Sequence, residues 1–362
     1  MFGTTYQLSL NKSYVRHWGV LEAVRELIQN ALDSDSPFVF EFTEQEPEGA
    51  DRAWQLSLVS ANAVLPVQSL LLGATTKADD PGSIGSFGEG YKIALLVLTR
   101  EGRPVLVKNG RKLWRPYFNF SKQFDDDVLC IEENNNSSRL QGVEFIVGGL
   151  TESDVAGIRE SCLQMQQSIG ETKTTSRGRI LLQKPGALYV GGLFICKTEL
   201  KYGYDILPQF ITLERDRKTV AEWDLKSMTR DMWFETEQFD EVAKMIEAEV
   251  PDVEYARWHS PALVKEACFR LFQAQNPGKM VALSNAELQE KVRQGMTQYV
   301  VVGSGFGTLV TESPSYRNLP KAVIRKPHDI LLEWYEDSKF NMHDKVRATF
   351  REVLAQSKGW KG

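Results

Sequence analysis

Residues 73–90 read GATTKADDPGSIGSFGEG, a run rich in Gly, Thr, Asp and Ser. A connection this long inside a compact domain is usually functional or disordered, so the elements around it carry the fold. Upstream, residues 14–35 place apolar side chains at Val20, Val24, Leu27 and Ala31, with Ile28 and Leu32 widening the stripe. That spacing predicts a helix, ending in the polar run Asp33–Pro37. Strands are expected at Phe38–Phe42 and Trp54–Val59, around an acidic loop, Glu44–Asp51. Downstream, an apolar helix starts near Tyr91 and runs through Leu98. Val105–Val107 and Lys112–Trp114 flank Asn109-Gly110, a strong hairpin signal, and further strands are expected at Val128–Glu132 and Val143–Val147. Helices, strands and a run of antiparallel strands in that order predict helices on one face of a mixed sheet.

The rest of the chain changes character twice. Residues 151–235 read as a smaller α+β unit. It has a helix at Asp154–Gln167, a Thr/Ser/Arg loop at Glu171–Arg179, and strands Ile180–Gln183 and Ala187–Cys196 around the turn Pro185-Gly186. Residues 236–362 read as an α/β region. Its expected elements are a helix at Ala262–Phe272, strands at Met280–Leu283 and Tyr299–Val302, a Ser284/Glu287 capping box and a closing helix at Asp344–Ala355. The expected division is therefore 1–150, 151–235 and 236–362 in an α+β chain. Gly303-Ser304-Gly305-Phe306-Gly307 superficially resembles a dinucleotide fingerprint, but its third glycine is misplaced. Thr308-Leu309-Val310 reads as strand, so a hairpin or loop is expected there.

With 362 residues and 42% hydrophobic residues, the chain is long enough for a real core in two or three domains. A net charge of -5 argues against a primary nucleic-acid binder. No signal peptide is read at the start and no apolar run is long enough to span a bilayer; a cytoplasmic setting without membrane partners is expected. The four cysteines and four histidines are scattered and suggest no structural zinc site.

Glu26, Asn30 and Asp33 follow one another at spacings of four and three, which puts them on one face of the first helix. An amide oxygen can ligate Mg²⁺, a hard cation that prefers oxygen, and a carboxylate can activate water for attack on a γ-phosphate. Taken alone, the pattern reads as a solvated helix face in preference to a site. The second motif, Gly85-Ser86-Phe87-Gly88-Glu89-Gly90-Tyr91-Lys92, runs into a helix. Glycines let backbone approach a phosphate, and the helix start offers free N–H groups.

Together and in this order, the two motifs resemble those of the GHKL superfamily of gyrase B, heat-shock chaperones, histidine kinases and MutL. ELIQNALD is similar to its asparagine box and GSFGEGYK to its second glycine box, while Gly73–Lys77 resembles the start of its ATP lid. The resemblance covers about the first 150 residues and implies a Bergerat-type α/β sandwich holding ATP and Mg²⁺. By that resemblance Glu26 is the general base, Asn30 the Mg²⁺ ligand and Asp33 a supporting residue. Gly85, Ser86, Phe87, Gly88, Glu89 and Gly90 wrap the phosphates, and Thr75, Thr76 and Lys77 lie in the lid.

One segment departs from the pattern. Where the family has an Asp-Asn-Gly-x-Gly box, this chain reads Val59-Ser60-Ala61-Asn62-Ala63-Val64. The adenine-binding Asp is missing, and Ser60 or Asn62 is expected to supply a neutral, weaker acceptor. The eroded box and unfamiliar C-terminal region mark a divergent member, for which phage or other mobile-element origin is the expectation.

The leading function is Mg²⁺-dependent ATP binding and hydrolysis, with lid closure driving a conformational or dimerisation switch. The alternative is a catalytically weak nucleotide-binding module serving as a regulatory or partner-binding protein. A histidine-kinase role fits less well, because no dimerising helical hairpin with a phosphoacceptor precedes the ATP-type domain. A homodimer and a further protein partner are both compatible with the switch. Lys173 and the Glu214–Lys218 cluster are the candidates for a cation reaching the γ-phosphate from the second unit.

Overall fold

The computed structural model describes residues 3–33, 38–45, 53–71, 90–137, 141–211, 222–294, 296, 298–319 and 326–360. The chain is α+β and divides into two compact units, Met1–Leu225 and Lys226–Gly362. The seam expected at residue 150 lies inside the first unit.

In the first unit, β1 (Thr4–Asn11) precedes helix α1 (Val20–Leu32), β2 (Phe38–Gln45), β3 (Ala53–Ala61) and helix α2 (Gly90–Arg100). Strands β4 (Val105–Asn109), β5 (Lys112–Ser121), β6 (Asp126–Asn135) and β7 (Gly142–Leu150) complete one seven-stranded sheet, ordered β1-β6-β5-β4-β7-β3-β2. Every pairing in it is antiparallel, where a mixed sheet was expected. Each strand meets a neighbour running the other way, so the sheet needs no parallel crossover.

The helices cover the face predicted by the alternation of the strands. Leu56, Leu58, Val107, Trp114, Ile131 and Val147 point into a core shared with Val24, Leu27 and Ile28 of α1 and with Ala94, Leu96 and Val97 of α2. These α1 and α2 side chains are fully buried, the Val, Leu and Ile among them each contributing about 2 kcal/mol relative to exposure. The opposite parity carries polar groups: Glu144 accepts from Ser57 at 2.9 Å and from Lys108 at 2.8 Å.

Helix α3 (Glu152–Ser161) packs on α1, with Gly157 against Leu21. Beyond it come β8 (Thr172–Thr175), β9 (Gly178–Leu181), β10 (Ala187–Val190), β11 (Leu193–Lys197) and β12 (Gly203–Ile206), forming a second sheet ordered β11-β10-β12-β9-β8. Two expectations are corrected here. Glu171–Arg179, read as a loop, contains the hairpin β8–β9; it is polar because β8 is an edge strand held by backbone pairing. Ala187–Cys196, read as one strand, is broken by Gly191 and Gly192, both at positive φ, into the hairpin β10–β11.

The second unit takes up α4 (Glu222–Glu235) from Lys226 onward and continues with α5 (Phe239–Glu247) and α6 (Ala262–Gln275). Next come β13 (Met280–Ala282), α7 (Asn285–Arg293), β14 (Tyr299–Val301), α8 (Ser304–Glu312), α9 (Pro314–Arg317), α10 (Pro327–Ser338) and α11 (Asp344–Ser357). Val242, Val264, Phe272, Leu309 and Val310 are fully buried there, where α5, α6 and α8 pack together. Thr308-Leu309-Val310 is therefore helix, not strand: burial against α5 and α6 outweighs the β-propensity of Thr and Val. A Cβ on Gly307 would come within 2.7 Å of Leu283, so that glycine serves close packing of α8 on the β13 end. Among the described residues no helix is long and apolar enough to cross a membrane.

Candidate functional site

Helix α1 opens at Gly19, whose N–H is taken up by Glu22 Oε2 at 3.0 Å. Its apolar stripe faces the sheet as expected, but its polar face does not meet solvent. Glu26 is 1% exposed, Gln29 4% and Arg25 8%, and Asn30 and Asp33 are half-buried. The solvated-face reading therefore fails for this helix. Burying a carboxylate is costly unless it is paired. Arg25 Nη2 stands 3.7 Å from Glu26 Oε1, and the N-terminus of α2, the positive end of that helix, lies against Glu26 Oε2.

That last contact is read from Gly90, the first residue of α2. A Cβ at Gly90 would lie 2.5 Å from Glu26 Oε2 and 3.3 Å from Asn30 Nδ2. The end of the glycine motif is thus brought directly onto the acid and the amide of the first motif. A side chain at this position would force Glu26 Oε2 to shift, since real Cβ contacts do not occur at 2.5 Å, and would press Asn30 Nδ2 by a few tenths of an ångström. Asn30 Nδ2 donates to Glu26 O at 2.7 Å, which commits the amide nitrogen and fixes the side chain. The amide's ligating atom is its oxygen. Asp33 caps the helix, its N–H returning to Gln29 O at 2.9 Å.

Residues Thr75, Thr76, Lys77, Gly85, Ser86, Phe87, Gly88 and Glu89 lie outside the described residues, as does the Glu214–Lys218 cluster. Lys173 sits in the edge strand β8.

The approaches to the glycine segment are described on both sides. Tyr91 OH and Ser69 Oγ are 2.8 Å apart, and Lys92, fully buried, donates through Nζ to Leu71 O. Burial pushes the Tyr91 hydroxyl up to about 12, with the Ser69 hydrogen bond working the other way. Tyr91 also meets the Phe145 ring, centroids 6.4 Å apart. The segment ending at Leu71 is therefore pinned to the first turn of α2.

The same segment roofs a cavity of about 560 Å³ at the end of the sheet. Asn109 holds the roof: its Oδ1 accepts from Leu65 N at 3.2 Å and its Nδ2 donates to Leu65 O at 2.7 Å. Of the two residues expected to replace the missing Asp, Asn62 lines the cavity and Ser60 does not. Asn62 is exposed, in left-handed conformation (φ 62°), with its N–H on Gln141 O at 3.1 Å. Ser60 is a β3 residue whose carbonyl would meet a Cβ on Gly142 at 2.3 Å.

Sequence reasoning missed the charged group in this cavity. Glu133 of β6, 7% exposed, lines it with Lys112 and Trp114. Lys112 Nζ stands 2.8 Å from Glu133 Oε1, and Trp114 Nε1 donates to Oε2 at 2.9 Å. Burial by itself raises the Glu133 carboxyl. The Lys112 and Trp114 hydrogen bonds and the Lys112 charge outweigh burial and hold the carboxyl below its ordinary value. One signal was available: Leu129, Ile131 and Glu133 share a parity on β6, so an acid falls on the buried face.

No protein-family model matches the chain. It is similar to a Mycoplasma pneumoniae protein described only as uncharacterized, 24% identical over 228 residues, which span 59% of this chain and 91% of that protein.

Proposed function

We propose that the N-terminal unit binds a nucleoside triphosphate with Mg²⁺ in the manner of a divergent GHKL protein and hydrolyses it, in a cytoplasmic setting. The observation that carries this reading is the meeting of Gly90 with the buried Glu26 and the oriented Asn30. A chance E-x-x-x-N-x-x-D helix has no reason to bury its acid against the end of a glycine run. Asn30 Oδ1 would hold the cation, and the first N–H groups of α2 would face the phosphates. A Mg²⁺ held by Asn30 would supply charge neutralisation at the phosphates. Glu26 would orient a water and take its proton as that water attacks.

One observation favours the weaker, regulatory reading. The Arg25 guanidinium lies 3.7 Å from Glu26 Oε1, and an oxygen facing a cation is less available to orient a water. Phosphate release and equilibrium ATP binding, measured side by side, separate the two. For an ATPase, Glu26→Gln lowers turnover by about 100-fold or more while Mg²⁺-ATP still binds, and Asn30→Ala removes the Mg²⁺ dependence of binding. Turnover indistinguishable between wild type and Glu26→Gln leaves the passive module. Absence of Mg²⁺-dependent binding to the wild type sinks both.

A further inference from the structure

The cavity beneath the 62–67 segment has a volume of about 560 Å³, within the range of small-molecule sites. Its walls are largely apolar, with Leu65 and Pro66 in the roof and Trp114 at the side. Into this apolar wall the fold places one buried carboxylate, Glu133, and beside it the ammonium of Lys112 at 2.8 Å. A carboxylate offers about four acceptor positions, and the contacts to Lys112 and Trp114 use two of them. An acceptor and a cationic donor side by side match the Watson–Crick edge of a purine, on which donor and acceptor atoms alternate.

Strand β7 runs from the rim of the cavity toward the first turn of α2. Gly142 at its rim and Phe145, which meets Tyr91, are three residues apart on β7, about 10 Å along the strand. Tyr91 follows Gly90, which touches Glu26 and Asn30. β7 and the first turn of α2 thus connect the rim of the cavity to Gly90.

We propose that this cavity is the base subsite and that Glu133, positioned by Lys112 and Trp114, receives the N–H donor of a purine in place of the missing box-one Asp. This rests on the nucleotide reading above. It assigns the discriminating acceptor to a charged β6 residue rather than to Ser60, which lies off the cavity, or Asn62, which is exposed. Charged acceptors make the stronger hydrogen bonds, and a site built to accept an N–H rejects a ligand lacking it. Adenine and guanine both present such a donor, so the shared chemistry is a base N–H.

The test is equilibrium binding of ATP, GTP, purine riboside triphosphate and inorganic triphosphate, each with Mg²⁺, to the full chain. Purine riboside triphosphate lacks both the exocyclic amine and a ring N–H. Wild type should prefer the better of ATP and GTP over it by about 10- to 100-fold. Glu133→Gln should shrink that preference to within about threefold while inorganic triphosphate binds both proteins alike. The ATP and GTP arms identify which purine is read. A measurement that needs no variant is photolabelling of wild type with 8-azidoadenosine triphosphate, expected on peptides holding Asn62–Val67, Asn109–Trp114, Glu133 or Gln141–Gly142. Equal wild-type affinity for ATP, GTP and purine riboside triphosphate, or label only on other peptides, overturns the Glu133 assignment and leaves the nucleotide reading standing. Failure of every triphosphate to bind wild type removes that reading and the base subsite with it.

Discussion

Single residues carry the sharpest consequences. Gly90 has no room for a methyl group, because Glu26 Oε2 would stand 2.5 Å from it and Glu26, being buried, cannot swing out to water. Gly90→Ala should therefore cost about 1–3 kcal/mol of stability, read by urea unfolding, and weaken Mg²⁺-ATP binding more than Glu26→Gln does. Glu133 gives a pH signature. Its folded carboxyl lies below the ordinary value, so its contribution is present above the unfolded value and fades as pH falls through the folded one. Lys112 is raised, mainly by its hydrogen bond to Glu133 and then by that charge, so its contribution is present below the unfolded lysine value and fades as pH rises through the folded one. The stability difference between wild type and Glu133→Gln should be level from about pH 5 to 9 and shrink below about pH 4.5. A difference that grows in acid contradicts the pairing. Glu26 and Asn30 were legible in the sequence because helical spacing is local. Glu133 was not, because its partners become neighbours only when β5 and β6 pair, Trp114 opposite Glu133.

At the level of elements, the hairpin tip does two jobs. Asn109-Gly110 turns the chain, with Gly110 at φ 55°, and the Asn109 amide grips both polar groups of Leu65 as a strand neighbour would. Asn109→Ala leaves those groups to water. It should cost about 1–2 kcal/mol and speed hydrogen exchange at the Leu65 amide with little change at Val107. Exchange unchanged at Leu65 would show that the roof is held by packing instead. Elements with strong periodicity, α1, α2 and the strands from β2 to β7, were readable from the chain alone. β1 was missed although Tyr6, Leu8 and Leu10 alternate in it, because its pairing with β6 spans most of the unit. β8 was missed, and the strand expected at Ile180–Gln183 begins earlier as β9, because an edge strand of Thr and Lys is held by backbone hydrogen bonds that leave no mark in composition.

For the whole molecule, the division into Met1–Leu225 and Lys226–Gly362 sets what should survive alone. The seven- and five-stranded sheets and α1–α3 all lie before residue 212. Residues 1–211 should thus fold, unfold cooperatively in urea, and bind Mg²⁺-ATP with about the affinity of the full chain. A fragment that is folded by circular dichroism yet has lost binding would place part of the site beyond residue 211. The sequence placed a seam near 150 because helix α3 follows a finished run of strands. Packing of α3 on α1 removes that seam, and such a contact is invisible to composition.

The pinning of Ser69 and Leu71 to Tyr91 and Lys92 gives the site a mechanical property. The roof over one chamber and the opening turn of a helix beside the acid share a fastening, so they are not independent parts. Whatever steadies the first will steady the second, by reciprocity of coupled equilibria. A bare nucleoside in the cavity should accordingly tighten the hold on inorganic triphosphate rather than compete with it.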